Sequence, residues 1–403
     1  MEPKMESTAP WKDNRWLPGV LNYSQMEELK KCGLIQNATG KIGRNDSAID
    51  LHISSEAYIM LKGSIKPFNK NYSDIIKDRY YAEPLPANDN IFHLKTEHCY
   101  VFKIQERLHP AIVNSSPFYG QATAKSSIGR VDVIARLIID GMKEYEKFAP
   151  KEVTTGEIFL EITPITFDVI VKEGISLSQL RFCNGDFENS VIKDEKFINA
   201  VLNLNQDFQN SATLSVDVSN FKIKDDLFAA AYCANSGKKE NALELWTEEK
   251  YTPSEFWTPV ESNEQQNVKS ITIKKNNFYI LRSLERISLP AGICIYCRAM
   301  DETLGEMRIH YAGFVHPLFG LNRKDQKKGT PLIFEVRGHN VDVLLTQGEI
   351  LARLFFYRMS YPAEIPLPER STGNDKKKKS EVPQSVAYGE QELKLSKLFK
   401  DWE

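Results

Sequence analysis

Apolar and charged positions between Gly156 and Cys183, GEIFLEITPITFDVIVKEGISLSQLRFC, fall in an order that the chain repeats between Thr330 and Tyr357, TPLIFEVRGHNVDVLLTQGEILARLFFY. At a constant offset of about 174 positions, Glu161 pairs with Glu335, Asp168 with Asp342, Gly174 with Gly348, Leu177 with Leu351, Leu180 with Leu354 and Phe182 with Phe356. The apolar residues alternate or run in short blocks with a glycine between them, which predicts strands joined by turns. One charge breaks the pattern at the same place in both copies. Glu161 stands between Leu160 and Ile162, and Glu335 between Phe334 and Val336. Each carboxylate either faces solvent from a polar strand face or sits in a pocket where desolvation raises its pKa.

The duplication is long. CYVFKIQERLHP, from Cys99, returns as FYILRSLERISLP, from Phe278, and pairs Tyr100, Glu106 and Arg107 with Tyr279, Glu285 and Arg286 at an offset of about 179. Few helix-period segments separate the predicted strands, so the pattern favours an all-β jelly roll or distorted barrel in each half. GVLNYSQMEELKKCGLI predicts one short amphipathic helix, with Ser24 as N-cap, Glu27 three residues on and Gly33 as the stop. SAIDLHISSEAYIM predicts a strand, while residues 62–96 and 234–270 read as loops and insertions.

The polar stretch Asp186–Asn210 reads as the boundary between halves. We therefore expect one domain over residues 1–188, a second over 189–364, and a tail over 365–403. The tail opens with a proline-bearing, lysine-rich tether and regains order signals in AYGEQELKLSKLF, an apolar end suited to docking.

Composition then narrows the chemistry. At 403 residues the chain suits two cores better than one, and a net charge of −2 gives no general pull toward nucleic acid or anionic membrane. Any anion site must be local. No apolar run approaches the roughly 18 residues of a membrane span, the polar start MEPKMESTAPWKDNRW has no signal-peptide core, and six scattered cysteines fit a reducing cytoplasm. Cys294 and Cys297 form a single C-x-x-C without a second pair or a preceding His-x-Glu. That removes the zinc deaminase signature and leaves ICIYC as a buried strand, with no metal site expected.

The local anion site is AKSSIGR, where Lys125, Ser126, Ser127, Gly129 and Arg130 precede a predicted strand. Two hydroxyls, a glycine that lets the backbone approach and an arginine that grips two oxygens are what a phosphate chain requires. A polar turn with an arginine at its edge is the alternative, and the Walker A spacing is absent.

AKSSIGR, LEI with G-x-x-L-x-QLRF, GEMRIHYAGFVHPLFG and FEVRGHNVDVLLTQGEILARLFFYRM together resemble the long, internally duplicated form of dCTP deaminase, of the dUTPase-like superfamily. The resemblance covers nearly the whole chain and implies two tandem dUTPase-like distorted jelly-roll or β-barrel domains with few short helices. It implies hydrolytic deamination of dCTP to dUTP and ammonia without a protein-bound metal, in support of pyrimidine deoxynucleotide synthesis. Ser126, Ser127 and Arg130, beside Lys125, would hold the triphosphate. Glu335, or in the other copy Glu161, would take a proton from the attacking water. The hairpin carrying His310, Ala312, Gly313, Phe314 and His316 would face the base, and a tail with Tyr388, Gln391 and Lys394 would cover the nucleotide.

Glu335 is preferred because the first half keeps the phosphate grip and the second keeps the compact hairpin, which makes one composite site. Phe314 stands where the family carries a hairpin arginine, His316 where it carries an aspartate, and GEQE where its tail has Gln-Gly-Gln-Gly. Mg²⁺ is expected to arrive on the triphosphate, dUTP or dTTP to act as product or regulator, and the chain to self-associate. Two other readings stay open: dUTP pyrophosphohydrolysis, alone or beside deamination, and a catalytically inactive nucleotide sensor.

Overall fold

A computed structural model describes residues 9–13, 15–38, 47–68, 70–202, 212–224, 226–235, 242–299, 307–310, 313–321, 329–363 and 392–402. The side chains of 200–202, Met307, Arg308 and His310 lie outside what it describes.

Strands with alternating burial build two large, mostly antiparallel sheets. The first, among the described residues, runs Lys147–Phe148, Phe118–Ala124, Ser176–Asn184, Ile49–Met60, Tyr100–Ile104, Ile158–Pro164 and Val133–Ile139. The second runs Trp257–Val260, Ala231–Ala234, Phe278–Ile287, Thr213–Asp217, Ile350–Arg358, Ile293–Ala299 and Phe314–Val315, with Thr330–Gly338 paired to Phe278–Ile287. Both are barrel-like, as the sequence pattern predicts.

The repeat holds down to strand boundaries. Val169–Lys172 and Ser176–Asn184 recur as Val343–Thr346 and Ile350–Arg358. The repeated residues explain why. Asp168 Oδ1 accepts from Thr96 N at 2.8 Å and Asp342 Oδ1 from Lys275 N at 2.9 Å, which closes the same loop twice. Tyr100 and Tyr279 hydroxyls accept from Lys95 N and Lys274 N. Glu106 accepts from His52 N, and Glu285 from Ser215 N, at bulged strands whose ladders leave those donors over. Gly174 and Gly348 turn the chain at φ of 81° and 80°, where a side chain would strain the backbone.

Three local expectations change. The helix, Tyr23–Lys31, is capped by Asn22 in a capping box with Gln25, not by Ser24 with Glu27. Ser24 instead donates its hydroxyl to Asn22 Oδ1. Residues 62–96 hold a helical turn, Tyr72–Ile75, and strands Ala82–Pro84 and Ile91–Leu94, because Tyr72, Ile75, Phe92 and Leu94 are buried. The 234–270 stretch likewise contributes strands, among them Trp257–Val260 and Val268–Ile273.

The halves interlock. Strand Val169–Lys172 pairs in parallel with Leu243–Glu244 of the second half, and Ser360 N donates to Val20 O. One apolar core takes in Leu160, Phe182, Trp257 and Phe278 together with Leu393, Leu395, Leu398 and Phe399 of the tail. Burying a side chain of that size stabilises by roughly 1.5–3 kcal/mol, so the tail's end is a structural element of the shared core. Among the described residues no helix is long and apolar enough to cross a membrane.

Candidate active site

A cleft of about 900 Å³ opens where the two halves meet the tail. Its first-half wall carries Lys125, Ser126, Ser127 and Arg130, its second-half wall Gly313, Phe314, His316 and Glu335, and the tail adds Glu392 to Lys397.

The wall begins with Phe118–Ala124, whose ladder ends at the single helical turn Ser126–Gly129. That turn packs directly on the carboxyl of Glu335: a Cβ added to Gly129 would stand 3.0 Å from Glu335 Oε2. The glycine therefore permits the two halves to bring the Ser126–Gly129 turn and the acid together. Glu335 is 7% exposed, and burial pushes its carboxyl up to about 8. Arg130 opposes that rise and Asp132 adds to it. Asp132 is itself ion-paired across the boundary with Arg337.

Arg130 donates Nη1–H to the carbonyls of Lys394 at 3.2 Å and Leu395 at 3.3 Å, and Ser396 Oγ donates to Ser127 O at 2.8 Å. The tail therefore lies on the turn Ser126–Gly129 and on Arg130. Its anchor is Glu392, which takes Arg282 Nη1 at 2.9 Å and Arg286 Nη2 at 2.8 Å. Lys125 Nζ is held 2.6 Å from Asp50 Oδ2. Burial, and then the Arg181 charge, hold the His316 ring down at about 3, so it is neutral at any working pH.

Glu161 corrects an expectation. Its carboxylate is 1% exposed, but it accepts from Ser64 Oγ at 2.8 Å and Tyr145 hydroxyl at 3.0 Å and does not line the cleft. Glu335 instead meets the Ser126–Gly129 turn, so the duplicated acids sit in different surroundings. His310 lies opposite Glu335 in the ladder, with only its backbone described. Ala312, Tyr388 and Gln391 lie outside the described residues, and the Lys394 side chain is exposed.

Family models for the 2′-deoxycytidine 5′-triphosphate deaminase N-terminal and C-terminal domains match residues 17–186 and 188–399 in tandem. The chain belongs to the dCTP deaminase family. Among solved structures, the 2′-deoxycytidine 5′-triphosphate deaminase from Agrobacterium tumefaciens superposes at a TM-score of 0.72 with 24% identity, over 86% of this chain and 97% of that one. At that identity the likeness speaks for the fold. A search of the curated proteins gave no match.

Several cleft residues of this dCTP deaminase family member escape a sequence reading. Asp50, Thr123, Gln179, Arg181 and Cys297 all line the cleft. Gln179 and Arg181 sit two apart in SLSQLRF, the spacing that puts both on one strand face, and that was the available signal. Cys294 and Cys297 are free thiols on strand Ile293–Ala299, and among the described residues no His, Cys, Asp or Glu cluster is placed to hold a metal ion.

Proposed function

We propose that the chain deaminates dCTP hydrolytically, giving dUTP and ammonia, in the cleft between its halves. The observation that carries this is Glu335: a buried carboxyl held against the Ser126–Gly129 turn and titrating at about 8. Deamination needs a group that takes a proton from water as its oxygen attacks C4 and returns protons as ammonia leaves. A carboxyl whose pKa lies near the working pH serves both steps.

Ser126, Ser127 and Arg130 bind the triphosphate, with Mg²⁺ arriving on the nucleotide. Arg130 binds phosphate oxygens and tail carbonyls together, so tail docking and triphosphate binding are linked. The Gly313–His316 segment faces the base, with a neutral His316 that offers a hydrogen bond without adding charge; the strands of the expected hairpin, Met307–His310 and Phe314–Val315, pair with Thr330–Gly338 and Ile293–Ala299 and not with each other. Glu161 holds Ser64 and Tyr145 and takes no part in the chemistry.

The test is to incubate pure protein with dCTP and Mg²⁺ and measure ammonia, dUTP and pyrophosphate. Ammonia and dUTP without pyrophosphate is the expected result. Pyrophosphate beside ammonia would add a second reaction, and the absence of both products would leave a nucleotide sensor.

A further inference from the structure

Polar side chains on the first-half wall form one connected row. Thr123, Gln179 and Asp50 sit side by side in register on three neighbouring strands. Lys125 Nζ donates to Asp50 Oδ2 at 2.6 Å, and Gln179 Nε2 to Asp50 Oδ1 at 3.0 Å. Arg181 Nη2 donates to Gln179 Oε1 at 3.1 Å, and its Nη1 to Thr123 Oγ1 at 2.7 Å. The row ends at Phe314 of the other half, whose ring centroid lies 3.9 Å from the Arg181 guanidinium carbon.

Arg181 is 1% exposed, and a guanidinium taken out of water needs its donors aimed and its charge faced by acceptors or π electrons. Here both are provided, and by different halves of the chain. A lysine in its place would have neither the planar face nor the fork that reaches Gln179 and Thr123 together.

The partner ring needs such a clamp. Phe314–Val315 is a two-residue strand whose ladder to Ile293–Ala299 consists of Ile295 with Val315 and Tyr296 with Phe314. So short a ladder fixes the Gly313–His316 segment weakly from one edge. Phe314 also packs edge-on against His316, with ring centroids 5.3 Å apart. Arg181, Phe314 and His316 therefore stack as one unit on the wall that ends at Lys125.

We propose that Arg181 is a positioning residue: its stack on Phe314 fixes the Gly313–His316 segment against the opposite half, at the separation from Glu335 that the reacting base must fill. This rests on the cleft being the dCTP site. The same charge adds to the burial that holds His316 neutral. Because the row runs from Lys125 to Phe314, the phosphate end and the base end are tied through side chains and not only through the fold.

The test is a double-mutant cycle on the full chain with Arg181→Lys and Phe314→Leu, read as kcat and KM for dCTP and as affinity for inorganic tripolyphosphate. Each single variant is expected to lose about thirtyfold in kcat, the factor that a desolvated stack of this kind sustains, with KM nearly unchanged. The double variant is expected to lose no more than either single one. Tripolyphosphate affinity reports an intact phosphate grip and is expected to stay within about threefold in all variants. Additive losses, or a loss of tripolyphosphate binding equal to the loss in kcat, would overturn the positioning role. A wild-type chain that releases no ammonia would overturn the dCTP reading and this inference together; a working wild type with additive variants would overturn the inference alone.

Discussion

Replacing Glu335 by glutamine removes the one buried acid that, among the described residues, lines the cleft and titrates near neutrality, and its effect on stability can be worked out. The carboxyl goes from an ordinary 4.5 to about 8 on folding because burial disfavours its charged form. Between those values the unfolded chain releases a proton that the native chain keeps. Stability contributed by the neutral acid is thus complete below pH 4.5 and is lost progressively as pH rises toward 8. At pH 7 the gap spans about 2.5 pH units, or roughly 3 kcal/mol at 1.36 kcal/mol per unit. Glutamine has the same shape and no proton to lose, so Glu335→Gln should be more stable than the wild type by about that much at pH 7 and equal to it near pH 4. For a chain of this length that is about 4 °C in Tm. Thermal unfolding of both proteins at pH 4.5, 6, 7 and 8 checks it, with ammonia release expected to fall at least about a hundredfold. A Tm difference independent of pH would show that Glu335 is ionised and solvated in the fold, and the reasoning would fail.

Glu161→Gln should leave ammonia release within about twofold while lowering stability by about 1–3 kcal/mol, since the amide keeps one acceptor oxygen but sets an NH2 where the other oxygen accepted from Ser64 or Tyr145; thermal melts and the ammonia assay read both. Arg130→Ala should weaken dCTP binding by about ten- to a hundredfold and deoxycytidine binding little, as calorimetric titration of each would show. Ending the chain before Glu392 withdraws Leu393, Leu395, Leu398 and Phe399 from the shared core. Each buried side chain carries roughly 1.5–3 kcal/mol, so a fall in Tm, not only a loss of turnover, is expected.

Much of the fold was legible because the chain states it twice. Asp168 and Asp342, Tyr100 and Tyr279, and Glu106 and Glu285 do the same local work in each half, and their recurrence marks strand, turn and bulge. The repeat could not say which acid faces the cleft. That is decided by Ser64 and Tyr145, which reach Glu161 from elsewhere in the chain, and by Gly129, which reaches Glu335 from the other half. The Lys125–Arg130 stretch stood out as hydroxyls beside a glycine and an arginine, but the contacts of Arg130 with the tail carbonyls of Lys394 and Leu395 arise only when the tail folds back. Arg181 was hidden for a different reason. Its spacing from Gln179 puts both on one strand face, but the ring it meets, Phe314, lies in the other half. The helix cap went to Asn22 because Asn-x-x-Gln and Ser-x-x-Glu are equivalent patterns two positions apart, and burial of Gln25 chose between them.

The central claim is that the halves have become unlike and share one catalytic cleft. The most direct measurement is the crystal structure of Glu335→Gln protein with dCTP and Mg²⁺. The account predicts one nucleotide per chain, its phosphates on Ser126, Ser127 and Arg130 and its C4 beside residue 335. A nucleotide whose base lies against Glu161, or whose phosphates avoid Arg130, would contradict it.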